Sequence, residues 1–341
     1  MKPQRWLALE ATVVLYFFAY VPNIVALKLI TSRVHPQLGR PLTGLETLPI
    51  TLILNMLMTY VFIWLSGWRR DAHGVVLGGR RLPVPTRYTA LSAVGTALVL
   101  FTVPLSFTFP DVSIPFMQLL MRGDILLIAP VVDLLFGRRV RWWSWVALLM
   151  VAAAILVVVR QRGGFLLPPL ALLTVFLYVV GYFIRLAVMT RVSKTGEPAA
   201  VRRYFVEEKI IALPLAVLAL ALLAASGLGT QAGELEWGFV RAWTDPVLLW
   251  LVFLAATLTV IGVFAAMILL DARENSYCVP LERSSSLLAG VAGAYLLHWY
   301  WGLPAPSGSE MIGAAILILA IALLWAAPRR SASARPPLGR G

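Results

Sequence analysis

The sequence predicts an all-α, polytopic membrane protein with ten spanning helices. Of its 341 residues, 60% are hydrophobic and only 13% are charged, whereas a soluble domain carries about 25% charged residues. The apolar residues occur in long blocks that approach the roughly 20 residues a helix needs to cross a bilayer. We expect helices rather than strands, because a helix satisfies its own backbone hydrogen bonds in lipid.

The predicted spans form two sets of five. The first set covers residues 7–30, 47–66, 87–108, 112–136 and 142–159, and the second covers 165–190, 203–225, 246–270, 275–298 and 311–327. The first run is interpreted as a span rather than a signal peptide, because it contains Glu10, Pro22 and Asn23 and lacks a small-x-small cleavage site. The connections between spans are too short for a folded extramembrane domain.

The basic residues predict the orientation of these spans. With the N-terminus inside, nineteen lysines and arginines fall in the inside segments and five in the outside segments. This bias indicates that both termini are cytoplasmic. The net charge of +13 is therefore a topology signal, and binding to nucleic acid is not expected.

The fourth and ninth spans resemble each other. Residues 120–129 and 281–290 align without gaps at a Leu, an Arg (Arg122 and Arg283) and a Leu-Leu pair. Two five-helix halves must enter the membrane in opposite directions, which predicts an inverted repeat. We place the first repeat at 1–164, the second at 165–327, and a disordered basic cytoplasmic tail at 328–341. A chance match between leucine-rich helices is the alternative, but an intramembrane arginine at the same register favours the repeat.

With this arrangement, residues 7–327 resemble the drug/metabolite transporter superfamily, including its EamA-like members. The run from Leu281 to Ala327, with its small-residue ninth helix and Glu310-x-x-Gly313, is the most typical part. Asn23, Lys28 and Glu282-Arg283 show a weaker similarity to the sugar-phosphate and nucleotide-sugar branch. That resemblance implies a substrate phosphate at Arg283, although Glu282 stands where the branch tends to place a second basic residue.

Arg122 and Arg283 are the strongest candidates for a substrate site. Each lies about ten residues, or about 15 Å, from the end of its span, where a charge costs about 2.5–3.5 kcal/mol even on the most lenient scale. If both face one cavity, they can bind a phosphate, sulfate or carboxylate through bidentate hydrogen bonds. The alternative is internal pairing of Arg122 with Glu282 and of Arg283 with Asp124. Both states are compatible with a gating pair that opens for substrate.

Other polar residues complete the predicted site. Gln118 and Asp133 lie near the helical face of Arg122; Asp133 is a candidate cytoplasmic gate, or else a solvated acid beside Arg138. Asp124 is a candidate proton-coupling carboxylate. The remaining predicted substrate-binding residues are Glu282, Ser285, Tyr20, Asn23, Tyr178 and Tyr182; the alternative for the aromatic ones is packing, which is the more common role of single aromatics. Charges near span ends are expected to reach the head groups: Glu10, Lys28, Arg185, Glu207, Glu208 and Lys209.

These features predict a secondary active transporter or exchanger that moves a small anionic metabolite by alternating access. A flippase for a phosphate-bearing lipid head group is the first alternative. An intramembrane enzyme is disfavoured, since no Gly-x-Ser-x-Gly or His-Glu-x-x-His motif is present. An ATP-driven pump is likewise disfavoured, since the sequence contains no Walker A loop.

One cysteine and three scattered histidines predict no metal site, and no cofactor is predicted. The expected partners are the substrate and the bilayer of a prokaryotic inner membrane, with the chain a monomer or homodimer.

Overall fold

The computed structural model shows a mostly helical chain. It describes residues 9–77, 80–105, 121, 125–160, 169–195, 197–227, 229–303 and some positions of 305–323. The predicted tail at 328–341, the Glu310-x-x-Gly313 motif, and Gln118, Arg122 and Asp124 lie outside the described residues.

The described helices follow the predicted order. They are α1 (Leu9–Ser32), α2 (Gly44–Leu65), α3 (Arg87–Leu105), α4 (Ile125–Leu135), α5 (Trp142–Arg160), α6 (Pro169–Val192), α7 (Pro198–Ala225), α8 (Gly229–Glu236), α9 (Leu248–Leu269) and α10 (Asn275–Trp301). Further helical positions occur between residues 308 and 323. A hairpin of β1 (Gly74–Leu77) and β2 (Arg80–Pro83) lies between α2 and α3.

Within the described residues, five helices are long and apolar enough to cross a membrane. They are Leu9–Ser32, Gly44–Leu65, Ala171–Val192, Pro198–Ala225 and Leu248–Leu269, which correspond to the predicted first, second, sixth, seventh and eighth spans. The chain is therefore a membrane-embedded, multi-pass helical protein. Helices also occupy the described parts of the third, fourth, fifth and ninth predicted spans.

Two close approaches between helices depend on glycine. A Cβ atom on Gly95 of α3 would lie 2.5 Å from the carbonyl oxygen of Gly181 on α6, and one on Gly181 would lie 2.7 Å from that of Gly95. On α10, a Cβ on Gly293 would lie 3.2 Å from Cγ2 of Ile24. Small residues thus bring α3 against α6 and α1 against α10.

The longest connections carry short elements of their own. α8 is extended by a π-helical turn, Trp237–Arg241, whose Gly238 lies so near α2 that a Cβ there would be 2.4 Å from the Glu46 carbonyl oxygen. Leu235 and Trp237 are buried against the neighbouring helices. The connection between α7 and α9 is therefore a packed cover over one end of the bundle rather than a plain loop.

The segments predicted on one side of the membrane contact one another. At one end, Arg138 donates hydrogen bonds to the carbonyl oxygens of Lys194 and Arg273. At the other end, Thr43 donates to Glu234, and His35 lies 3.0 Å from Asp245. These contacts group the loops into two opposite ends of the helix bundle. The distribution of basic residues predicts which of the two ends faces the cytoplasm.

Thr43→Ala is expected to destabilise the fold by about 1 kcal/mol. Thr43 Oγ1 accepts from the backbone N–H of Glu46, while the Glu46 carboxylate accepts from the backbone N–H of Thr43, which forms a complete capping box for α2. Titration with SDS in mixed micelles measures the loss. Thr244→Ala is the matched control, because the exposed Thr244 hydroxyl donates only within its own turn. An equal loss in both variants would contradict the capping role.

Candidate functional site

Arg283 lies inside α10, among aromatic side chains of α6. Its Nη2 donates to the Tyr178 hydroxyl at 3.2 Å, and its Cζ lies 5.2 Å from the centroid of the Tyr182 ring. The side chain is 18% exposed. A tyrosine ring beneath a guanidinium stabilises the cation without neutralising it. The two tyrosines thus hold this guanidinium inside the helix bundle.

Among the described residues, Glu282 is the carboxylate that pairs with Arg283. Its Oε2 lies 3.3 Å from Arg283 Nε, and its Oε1 accepts a 2.5 Å hydrogen bond from the Tyr16 hydroxyl of α1. Glu282 therefore connects α1 to α10 beside the arginine. The predicted pairings with Arg122 and Asp124 involve residues outside those described.

The other predicted site residues divide between this cluster and helix packing. The Tyr20 ring lies 5.3 Å from that of Tyr16, so Tyr20 borders the Glu282 end of the cluster. Asn23 Nδ2 donates to the Leu254 carbonyl and the Thr257 hydroxyl, and Ser285 Oγ donates to the Val13 carbonyl. For Asn23 and Ser285 the structure favours the packing interpretation.

The fourth span contributes Met121, Ile128, Ala129 and Val132 to the hydrophobic cluster that contains Tyr178 and Tyr182. Met121, which precedes Arg122 in the chain, is buried in the same hydrophobic cluster as Tyr178 and Tyr182. This position therefore belongs to the same packed region of the bundle as the α6 tyrosines. The positions of Gln118, Arg122 and Asp124 themselves are not described.

Asp133 binds the N-terminus of α10. It is completely buried, and its carboxylate accepts from the backbone N–H and the side chain of both Asn275 and Ser276, at 2.7–3.0 Å. The alternative of a solvated acid beside Arg138 is wrong, because a buried carboxylate here satisfies the free N–H groups of the first helical turn. Asp133 joins α4 to the helix that carries Arg283.

Burial shifts the pKa values of two loop side chains near Asp133. Lys194 donates to the Arg273 carbonyl at 2.8 Å, and burial lowers the pKa of its ammonium group. Burial likewise raises the pKa of the Glu274 carboxyl, which hydrogen bonds with Ser144. Both shifts disfavour the charged form of the group, because burial removes it from water.

A second charged cluster lies where α3, α6 and α7 meet. Arg185 Nε donates to Glu208 Oε1 at 2.9 Å, and Lys209 Nζ lies 3.3 Å from Glu208 Oε2. Thr96 and Tyr204 donate to the same Glu208 Oε1 at 2.6 and 3.0 Å. These charges were predicted to reach the head groups, and that prediction is wrong, because Glu208 is 1% exposed.

Glu207 is also buried, at the neighbouring end of α7. It lies 2.7 Å from His73 Nδ1 and accepts from the Thr89 hydroxyl. Of the other charges predicted to reach the head groups, Lys28 is exposed and Glu10 lies 3.5 Å from Arg273.

The missed cluster follows from an error in the start of the seventh span. The prediction began at residue 203, which put Glu207–Lys209 near a helix end. α7 begins at Pro198 after an extended Glu197, and proline is common at a first helical position. The Glu197-Pro198 pair is therefore the sequence signal for the earlier start of α7, and that start puts Glu207–Lys209 well inside the helix.

Comparison with known proteins supports the fold. The chain is similar to a protein known from a crystal structure, with a TM-score of 0.56 and 18% sequence identity over 94% of this chain and 98% of that one. At this identity the similarity shows a shared fold alone. No protein-family model matches the chain, and no curated protein does so.

A cavity of about 730 Å³ lies at the far end of the bundle, between the segment before α2 and the helix α8. Arg40, Glu234 and Arg241 are among its lining residues, and none of the predicted site residues line it. This cavity is therefore separate from the predicted site residues that the structure describes.

Proposed function

We propose that this protein is a secondary active transporter or exchanger for a small anionic metabolite bearing a phosphate or carboxylate group. The observation that carries the proposal is the position of Arg283: a partly accessible guanidinium inside a helix, held by tyrosines and one carboxylate. Within the described residues, Nη1 of Arg283 makes no hydrogen bond. Arginine presents a planar fork that suits a bidentate oxyanion.

Binding of the anion exchanges partners around Arg283. An incoming phosphate or carboxylate takes the Nη donors and displaces the Tyr178 hydroxyl, a weaker neutral acceptor than an oxyanion. Glu282 then loses part of its attraction to Arg283 but keeps its hydrogen bond from Tyr16. The α1–α10 contact thereby becomes sensitive to substrate, as alternating access requires.

The packing of the helices supports an inverted repeat of residues 1–164 and 165–327. A shift of five spans relates α3 to α9, α1 to α6 and α2 to α7. Correspondingly, α3 packs against α6 and α7, while α9 packs against α1 and α2. In this proposal the protein has ten spans with both termini cytoplasmic, in a prokaryotic inner membrane, and is a drug/metabolite transporter of the EamA-like type.

Asp133 is proposed as the cytoplasmic gate. Its four hydrogen bonds hold the first turn of α10, which lies two helical turns before Arg283. The Asp133 carboxylate binds the N-terminus of α10. That end of the helix therefore cannot move away from α4 without breaking these hydrogen bonds.

Uptake by proteoliposomes tests the proposal. Purified protein is assayed with phosphorylated metabolites, carboxylates, sugars, amino acids and cationic dyes. We expect saturable transport of an anionic compound, and a loss of about tenfold or more in Arg283→Ala, since a charged hydrogen bond is removed. Arg33→Ala, at an exposed site beyond α1, is the matched control.

Transport of the anion by Arg283→Ala at the wild-type rate would refute the anion site. Movement of phospholipid head groups across the bilayer, with no uptake of any soluble compound, would refute the metabolite transporter and favour the flippase. Each result is read from the same preparation, with size-exclusion profiles confirming that the variants fold.

A further inference from the structure

The cluster at the α3–α6–α7 junction contains two cations and one carboxylate. Arg185 and Lys209 both pair with Glu208. The neighbouring Glu207 serves His73 and Thr89 instead. Arg185 and Lys209 therefore have one more positive charge than their shared partner neutralises.

Hydrogen-bond donors also exceed acceptors in this cluster. Glu208 Oε1 already accepts from Arg185, Thr96 and Tyr204, which fills the capacity of a carboxylate oxygen. Within the described residues, the two terminal nitrogens of Arg185 make no hydrogen bond, and Lys209 Nζ pairs with Glu208 and lies 5.8 Å from the centroid of the Phe205 ring. These donors retain capacity for a further acceptor.

The excess donors lie close to the site around Arg283. Tyr182, whose ring lies under Arg283, is three residues before Arg185 on α6, or about 4.5 Å along the helix. Arg185 and Lys209 are 14% and 13% exposed, close to the 18% of Arg283, so all three are reachable to a similar extent.

We propose that Arg185 and Lys209 form a second anion subsite, so that the transported compound carries two separated anionic groups. One group binds Arg283, and the other binds the Arg185–Lys209 pair on the far side of Tyr182. The connecting chain must be long enough to pass the tyrosine ring. The inference rests on the proposed function, because it identifies the residues that bind the second anionic group of the same substrate.

Matched pairs of ligands test this inference. Dicarboxylates from malonate to adipate are compared with monocarboxylates of the same chain length, from propionate to hexanoate, by calorimetry on the purified full-length protein. We expect one dicarboxylate length to bind about tenfold more tightly than its monocarboxylate. Arg185→Gln and Lys209→Gln each leave one cation for Glu208, which keeps the buried pair balanced and the fold intact.

In both variants the preference for the dicarboxylate should fall toward one, while binding of the monocarboxylate is unchanged. Arg185→Lys should keep part of the preference, since it conserves the charge and loses the planar fork. Arg283→Gln should weaken both ligands, and Arg33→Gln neither.

Two results are adverse and distinguishable. If monocarboxylates bind through Arg283 but the dicarboxylate preference is absent, or persists in Arg185→Gln and Lys209→Gln, the second subsite is refuted and the proposed function stands. If the folded protein binds none of the anions and transports none, the proposed function fails together with the subsite.

Discussion

Replacing Gly95 or Gly181 with leucine is expected to destabilise the protein by about 3 kcal/mol or more and to abolish its monodisperse expression. At this crossing of α3 and α6, the atom that meets a new Cβ is a backbone carbonyl oxygen, at 2.5 Å for Gly95 and 2.7 Å for Gly181. Neither a rotamer change nor a small side-chain shift relieves such a contact. The two helices must move apart.

The separation would have a second consequence, because α3 and α6 supply partners to the same buried carboxylate. Thr96 is adjacent to Gly95, Arg185 is one turn after Gly181, and both donate to Glu208. A displaced helix pair would leave Glu208 and its cations with incomplete hydrogen bonding, which is costly for a carboxylate that is only 1% exposed.

Gly262 provides the matched control for these substitutions. It lies within α9, and a Cβ there meets nothing within 4 Å, so Gly262→Leu should express and melt like the wild type. Fluorescence-detected size exclusion followed by thermal melting in detergent compares the three variants. Wild-type melting of Gly95→Leu and Gly181→Leu would show that the α3–α6 crossing is looser than the structure indicates.

The sequence predicts a structural feature well when that feature depends on the residues of one segment, and poorly when it depends on contacts between distant segments. The apolar runs predicted the positions of α1, α2, α6, α7 and α9 to within a few residues at most ends, because burial in lipid depends on the composition of each segment alone. The same reasoning placed Arg283 inside a span. The start of α7 was missed because Val201–Lys209 is mixed in character and depends on Pro198 for its helical register.

Interactions between distant segments were beyond prediction from the sequence. Glu208 receives donors from α3 and α6, over 23 to 112 residues of separation, and no periodicity within α7 indicates which partners it meets. Glu282 illustrates the same limit, since its bond from Tyr16 spans 266 residues. Charge and depth identified the residues that needed partners, whereas only the packing of the helices selects those partners.

Asp133→Ala should reduce the stability of the protein by about 3–5 kcal/mol and open the end of the bundle that carries Lys194 and Arg273. The Asp133 carboxylate is the acceptor for two backbone N–H groups and two side chains of the first turn of α10. Alanine leaves these buried donors without that partner. Asp133→Asn should have an intermediate effect, because the amide keeps one acceptor oxygen but turns a donor toward the remaining N–H groups.

Cys278 reports the opening directly. It is the single cysteine of the chain, it lies in the first turn of α10, and its side chain is completely buried. A maleimide should therefore modify the wild type slowly and Asp133→Ala rapidly, under detergent conditions where size exclusion shows that both remain folded. Asp271→Ala is the matched control, because Asp271 is partly exposed and bonds only within its loop, so labelling and melting should match the wild type.

The labelling rates also separate a gate from a purely structural cap. If Asp133 is the gate of a transporter, saturating substrate should change Cys278 labelling in the wild type, since alternating access moves the same end of α10. In Asp133→Ala, with the contact already lost, substrate should have little further effect. Substrate-independent labelling of the wild type, combined with the predicted loss of stability, would make Asp133 a helix cap whose bonds persist throughout transport.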